Sequence, residues 1–448
     1  MDPRTCTNLT PHRQTADIAA NYKKPTAGNP ALRMLGIPNL PSKLPSRNWM
    51  IFLTLSTALA SAIIYDKREK KRATAKWRTV VSELGRQPLA DGNALPRRLT
   101  IFLAAPPGDG LRTAQDYYLE YIKPVLSGSG LDWEFVQGRE QGDIRAAVAE
   151  KIRRQRREAD GIPQDALTTA QRIDAFRREK GLPEYVGVRG DLVVGRHAWK
   201  EYVRGVHEGW LGPLERPAHL VEPPPPPADG ATDGDDDEQK KKEKERPPQP
   251  PPFNSTADYA TADVPAYIPA AFDPAQPVVF PHLLGFAGTF TRMWRFMNRR
   301  KLADDVGAQV AAACFAAHRG WMLDATTDGE NAEPADQNEI QRALAWEEKD
   351  WGKWVWKEDE KPKEGEEQPK IKKERVWKNE VVLDGRIAER MRRFELEPEV
   401  YDKAKAVVIG EKEVEGWVKG SLRELWHWSV AQVQPAKKRV VIDNVDDE

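Results

Sequence analysis

Most of the chain reads as apolar positions recurring at strand or helix spacing, but one stretch has no polar period at all. The run WMIFLTLSTALASAIIY, Trp49–Tyr65, carries no charge, and its only polar side chains beside the border rings are the hydroxyls of Thr54, Ser56, Thr57 and Ser61. Such hydroxyls bond back to their own helix. Trp49 and Tyr65 stand at its two borders, where amphipathic rings sit at headgroup level. Its seventeen residues cover roughly 26 Å as a helix, the short edge of a membrane span. Lys43, Arg47, Lys67 and Arg68 extend it by snorkelling. The run predicts a single transmembrane anchor bordered by Trp49 and Tyr65. The alternative, a buried helix of a soluble domain, would show a polar stripe.

Behind the run the spacing becomes helical. In YDKREKKRATAKWRTVVSELG, Trp77, Val80, Val81 and Leu84 form an apolar stripe on a basic helix. Lys67, Arg68, Lys70, Lys71 and Arg72 are placed to meet anionic headgroups. From Arg97 the periods alternate. Leu99–Ala104 is a buried strand, and a helix covers Leu111–Leu126 after the PPGDG turn. Leu131–Gln137 is a second strand, and Gly142–Glu158 a helix with Ile144, Val148 and Ile152 inward. Thr168–Lys180 is a helix, Asp191–Val194 a third strand and Ala198–Leu211 a helix after it. Strands alternating with helices predict βαβ units on a mostly parallel sheet, an α/β fold.

Residues 213–261 interrupt this pattern with VEPPPPP, DGATDGDDDEQKKKEKER and PPQPPP. That composition cannot bury a core and predicts a solvated, disordered insert. Order resumes near Ala262 with the apolar run Val278–Phe280. Phe286, Phe290, Trp294 and Met297 recur at helical spacing, and Asp304–Arg319 is a helix with Val306, Val310, Cys314 and Phe315 inward. Trp351–Lys357 and Arg375–Leu383 alternate as the two arms of a hairpin around a charged insert at 358–374. Asp384–Leu396 reads as a basic helix, Val400–Ile409 as a strand or short helix, and Val414–Val433 as a helix. The end, 435–448, reads as a last strand with an acidic tail. The resulting order is a disordered tail 1–33, a Pro-rich segment 34–48, the span 49–65 and a basic helix and linker 66–96. The soluble domain follows in two parts, 97–212 and 262–434, around the 213–261 insert.

Composition narrows the function classes. The 448 residues hold 69 basic and 69 acidic side chains, so net charge gives no case for nucleic acid. One short apolar run in a chain of mean hydropathy −0.68 describes an anchored protein rather than a channel. Cys6 and Cys314 are too far apart for a disulfide framework. Cys314, in an apolar helix, reads as a small core residue. Ten of the fifteen Trp lie after residue 290, either as core or as interface anchors. The first thirty residues contain two acids, Asp2 and Asp17, and no amphipathic Arg-rich helix. They do not form a clear mitochondrial presequence, and Met34 is an alternative start. The apolar run begins too late for a secretory signal.

The block LGIPNLPSKLPSRNW, the short span, and YDKREKKR with Trp77 behind it resemble the N-terminal signature of the fungal Tim fifty-four family. Weaker similarity continues at Leu99, Gly285–Leu302 and Asp384–Leu396, while the Pro-rich and Lys/Glu-rich inserts match nothing. The resemblance implies the large membrane-anchored subunit of the mitochondrial inner-membrane carrier translocase, with its bulk in the intermembrane space. It implies a scaffold with a channel-forming subunit and small Tim chaperones as partners, beside the inner-membrane lipids. The flanking charges point the other way, because basic residues stay on the untranslocated side and the stronger cluster follows the span.

Catalytic candidates are few. PPGDG, Pro106–Gly110, joins a strand to a helix, where backbone amides and a helix start face an anion. Gly108, Asp109 and Gly110 would form the loop, and Arg112 would touch the phosphate. No GxGxxG and no P-loop Lys follow. The plain alternative is a tight turn with Asp109 capping the helix. The arrangement is architecturally similar to a degenerate diacylglycerol-kinase-like nucleotide lobe, and GDLVVG at Gly190–Gly195 stands where a later motif would lie. His197 and His207, ten apart on one helix, read as packing or surface residues, since no further metal ligands accompany them. The chain is therefore expected to be non-enzymatic, with no cofactor or metal. A membrane-tethered lipid or nucleotide kinase and a passive tether for another assembly are the rivals.

Overall fold

The computed structural model describes residues 46–88, 95–162, 169–182, 187–217, 250–286, 288–323, 338–348 and 374–433, with residues 93, 185 and 220 between them. The chain divides into two units, Met1–Ser61 and Ala62–Glu448. The described part of the first unit is the beginning of helix α1, Arg47–Gly85. There Trp49, Phe52 and Leu55 are exposed, and the helix is long and apolar enough to cross a membrane. Its hydroxyls bond back as their spacing requires: Thr54 Oγ1 donates to the Ile51 carbonyl at 2.9 Å, and Ser56 Oγ to Phe52 at 2.7 Å.

The second unit is built on a parallel sheet. Its strands are β1 (Arg98–Ala104), β2 (Asp132–Gly138), β3 (Asp191–Val194) and β4 (Ala275–Val278), in the order β2-β1-β3-β4. Every pairing is parallel, with Ile101 opposite Phe135 on one side and Leu192 on the other. Parallel central strands are buried on both faces, so they read as continuous apolar runs. In β1, Leu99, Ile101 and Leu103 enter one core, while Phe102 and Ala104 enter the other.

The first core is closed by the second half of α1, through Trp77, Val80 and Val81, and by the helical rod 111–129. That rod consists of α2 (Leu111–Tyr117), a π-helical turn Tyr118–Ile122, and α3 (Lys123–Ser129). The wider turn buries Tyr118, Tyr121 and Ile122 together. The opposite core is closed by α4 (Asp143–Ala159) and, after α5 (Thr169–Glu179), by α6 (Ala198–Leu211). β2 lies at the sheet edge with most of its side chains exposed or half-buried, which explains its alternating composition.

After β4 come α7 (Thr289–Phe296) and α8 (Arg299–Phe315). Val306, Val310 and Cys314 of α8 are buried, and burial pushes the Cys314 thiol up to about 12. Arg97 fastens the end of α8 to the sheet. Its guanidinium donates to the carbonyls of Ala313 at 2.6 Å and Cys314 at 3.1 Å, and to those of Val188 and Arg189. Carbonyls at a helix end have no partner within the helix, so a buried arginine there satisfies them.

The C-terminal third departs from the sequence reading. Strand β5 (His318–Gly320) precedes α9 (Glu339–Glu348). The expected basic helix 384–396 is only the single turn α10 (Gly385–Ala388), followed by strand β6 (Arg392–Phe394) antiparallel to β5. Pairing with β5 and burial of Phe394 override the local helical preference. The first arm of the expected hairpin, 351–357, lies outside the described residues, and in 375–383 a turn at 376–378 runs into irregular chain rather than a strand. Trp377 leaves that turn to donate from Nε1 to Glu201 Oε1 at 2.6 Å. The inserts at 213–261 (but for 213–217, 220 and 250–261) and 358–374 (but for 374), the tail 1–33 and the segment 435–448 lie outside the described residues. Residues 400–409 include most of α11 (Pro398–Ala406). The expected helix 414–433 is two pieces, α12 (Glu411–Glu415) and α13 (Trp417–Val433), parted at Gly416.

Candidate functional site

In an open parallel sheet, ligands bind outside the carboxyl ends of the strands, where the winding reverses. Here that point lies between β1 and β3, at the loops after Ala104 and Val194. Gly108, Asp109 and Gly110 lie at this point and are exposed, and the chain after β4 packs against them. Gly108 has a φ of +78°, and a Cβ there would stand 2.7 Å from Leu284 Cδ1. His282 Nε2 lies 2.7 Å from Asp109 Oδ2, and the Arg196 guanidinium donates to the His282 carbonyl at 2.8 Å. The segment 282–284, arriving from β4, thus packs against the loop, which stays exposed.

Asp109 does not cap the helix. The N-cap of α2 is Gly110, with no side-chain cap bond, because the Asp109 carboxylate is turned to His282. Arg112 is 91% exposed and approaches only Asp116, at 3.9 Å one turn along its own helix. Arg112 therefore supplies no inward cation to the loop.

The two histidines are packing residues. His197 precedes α6 and stacks on Trp377 with ring centroids 5.2 Å apart. His207 is fully buried. Its Nδ1 lies 2.8 Å from the Val203 carbonyl, and its Nε2 accepts from the Asp384 amide at 3.1 Å. Those partners fix a neutral ring protonated at Nδ1. Burial, aided by neighbouring Arg204, lowers the His207 pKa to about 4, and burial lowers that of His197 to about 3. Among the described residues no cluster of His, Cys, Asp and Glu could hold a metal.

Two polar arrangements escaped the sequence reading. Glu201, on α6, accepts from the first amide groups of α4, Ile144 at 3.0 Å and Arg145 at 3.4 Å. Burial raises its carboxyl to about 7. Glu208, one turn pair further along, joins Arg145 and Arg153, all three buried. The second arrangement lines a cavity of about 450 Å³ at the amino end of β3. Asp191 there binds Lys151 Nζ at 2.8 Å and accepts from the Tyr202 hydroxyl at 2.8 Å. An aspartate opening the wholly buried strand DLVV was the available signal, since a buried charge requires partners. Both oxygens of Asp191 are engaged, which suits a structural ion pair.

The basic residues behind the span are largely committed to the fold. Arg68 and Arg72 both reach Glu411, the latter at 2.9 Å, and Lys70 reaches Glu120. Lys76 binds Asp304 at 2.5 Å. Lys67 and Lys71 are the exposed ones of the five, so most of the cluster is not displayed to headgroups. Tyr65 and Trp49, the borders of the apolar run, are both exposed.

A family model described as inner membrane protein import complex subunit Tim54 matches residues 29–234 and 226–394. The mitochondrial import inner membrane translocase subunit tim54 of Neurospora crassa is 52% identical over 436 residues, covering 94% of this chain and 92% of that protein. The subunit of the same name from Aspergillus oryzae is 39% identical over 452 residues, covering 92% of this chain and 99% of that protein. The one from Saccharomyces cerevisiae is 32% identical over 260 residues, covering 44% of this chain and 54% of that protein. With its apolar helix, its parallel α/β unit and these matches along most of its length, the chain belongs to the Tim54 family of mitochondrial inner membrane import translocase subunits.

Proposed function

We propose that the chain is a non-catalytic scaffold, anchored by residues 49–65, that holds the translocase together and docks small Tim chaperones delivering multispan carrier proteins. The observation that carries this reading is the loop at the switch point, which holds no inward cation: Arg112 turns to Asp116, Asp109 is bonded to His282, and Leu284 stands against Gly108. An anchor confines a domain to the membrane plane and raises its effective concentration beside the other subunits without tight contacts.

The bulk of the chain is assigned to the intermembrane space. The basic cluster behind the span opposes this by the charge rule. Its ion pairs with Glu120, Asp304 and Glu411 supply another reason for those residues to be basic. Protease protection tests the placement: cleavage of the domain is expected in mitoplasts and not in intact mitochondria. Depletion tests the scaffold. Loss of the translocase band on native gels together with slowed carrier import is expected. An unchanged band and unchanged import would refute the role.

A further inference from the structure

Two helices of the second unit each carry several exposed large apolar side chains. Phe290 and Trp294 of α7 are 76% and 69% exposed, Phe286 just before it is 89% exposed, and no residue of α7 is buried. On α13, Trp417, Leu422, Leu425, Trp426 and Trp428 are exposed. Several exposed large apolar side chains on one helix mark an interaction face.

Both helices hang from the same short piece of α1. Asp66 accepts from the amides of Arg299 at 3.1 Å and Arg300 at 3.3 Å, and pairs with the Arg300 guanidinium at 3.0 Å. This fixes the start of α8, three residues after the end of α7. Arg68 and Arg72 hold Glu411, and Arg68 lies 3.4 Å from Glu415, in the short helix that leads into α13. Asp66 directly follows Tyr65, the last residue of the apolar run. The docking residues 66–72 therefore lie within roughly 10 Å of helix axis from the end of the span, which is headgroup depth and its outer edge. Charge agrees. Residues 283–301 contain no acid and five basic residues, Arg292, Arg295, Arg299, Arg300 and Lys301, of which Arg300 is paired with Asp66 and Arg299 lies 3.8 Å from Glu120.

We propose that α7 and α13 are interfacial helices that lie in the headgroup layer of the same bilayer, their Phe, Trp and Leu side chains at the acyl boundary. Arg292 and Arg295 of α7 face the phosphates of anionic phospholipid. The proposal rests on residues 49–65 crossing that bilayer. The exposed surface is thereby matched to lipid rather than to another subunit.

The test uses single-cysteine variants of the full chain in a Cys6→Ser background. Cys314 stays, since it is buried with a thiol raised to about 12 and does not label. An environment-sensitive fluorophore is placed at Phe290, Trp294, Leu422 or Trp426, at Leu55 in the span, and at Ala175 on α5 as the aqueous reference. The protein is reconstituted into phosphatidylcholine vesicles with and without phosphatidylglycerol. Labels at 290, 294, 422 and 426 are expected to be quenched severalfold by lipid carrying a shallow nitroxide. Quenching at 290 and 294 should rise with phosphatidylglycerol, and the label at 175 should not respond. Water-like, unquenched emission at those four positions, with Leu55 quenched by a deep nitroxide, overturns the proposal while leaving the anchor standing. A blue-shifted label that lipid nitroxides do not quench means that protein covers the face, a second copy included, and also overturns it. An unquenched Leu55 removes the span and the proposal with it.

Discussion

The Trp77 indole lies against Gly307, and its Nε1 donates to Asp304 Oδ1 at 2.6 Å one turn earlier on the same helix. A Cβ on Gly307 would stand 2.2 Å from Trp77 Cδ1, so α1 and α8 approach this closely because that position is glycine. In an unconstrained helix interior, Gly→Ala gains about 1 kcal/mol. Here Gly307→Ala is expected to destabilise by about 1–3 kcal/mol, the usual cost of overpacking. Urea unfolding of the two proteins decides between these signs.

Ala316 ends α8 in the left-handed region, with a φ of 66°, the one non-glycine residue with positive φ among those described. An L side chain is strained there by roughly 1–2 kcal/mol, whereas glycine is not. Ala316→Gly should therefore raise the unfolding midpoint, by about 0.5–1 kcal/mol after its greater unfolded-state entropy is deducted. A lower midpoint would mean that the Ala316 methyl contributes packing that outweighs the strain.

Much of the sheet was legible in the sequence, for a physical reason. A parallel strand buried on both faces must be continuously apolar, so Leu99–Ala104 and Asp191–Val194 stand out, as do the amphipathic helices 143–159 and 198–211. What was illegible depends on distant partners. Arg392–Phe394 becomes a strand only because His318–Gly320 pairs with it, some seventy residues away in the chain. PPGDG joins a strand to a helix as its pattern suggests, yet nothing local to it says that Leu284 will pack against it. The basic residues after Tyr65 likewise read as a lipid-facing cluster until Glu411 and Glu120 are brought to them.

Asn298, the residue preceding α8, offers no side-chain cap. Asp66 supplies one from α1, accepting from the Arg299 and Arg300 amides. Asp66→Ala removes both acceptors and is expected to cost about 1–3 kcal/mol. Asp66→Asn keeps one acceptor oxygen and should lie between the two. Thermal unfolding of the three proteins in detergent gives the order. Equal midpoints for Asp66→Ala and the wild type would show that the cap carries no stability.

A switch-point loop with an outward Arg112 and an Asp109 bonded to His282 predicts no saturable nucleotide binding. Calorimetric titration with magnesium ATP should give heats of dilution alone. Gly108→Val is a poor control, because its positive φ and Leu284 strain any side chain there. Arg112→Ala is the cleaner variant, since Arg112 approaches only Asp116. Saturable binding lost in Arg112→Ala would restore the kinase-like alternative.

Buried titratable groups on and beside α6 set opposing pH dependences. His207 is held near 4 and His197 near 3 by burial. Below about 6.5 the unfolded chain takes up these protons while the folded one does not, so stability falls with acidification through the folded values. Glu201, raised to about 7 by burial, acts in the other sense. Between pH 4.5 and 7 the folded state retains a proton that the unfolded state has lost, so acidification across that window restores stability. From pH 6.5 down to 4.5 the unfolded state thus gains two protons from the histidines, while the folded state holds one more on Glu201. His207→Gln should make the wild type's fall in unfolding free energy shallower by up to one proton per pH unit, about 1.4 kcal/mol. Glu201→Gln should steepen it by a similar amount. Urea unfolding at half-unit pH steps reads both slopes, and parallel curves for all three proteins would show that these groups do not govern the acid limb.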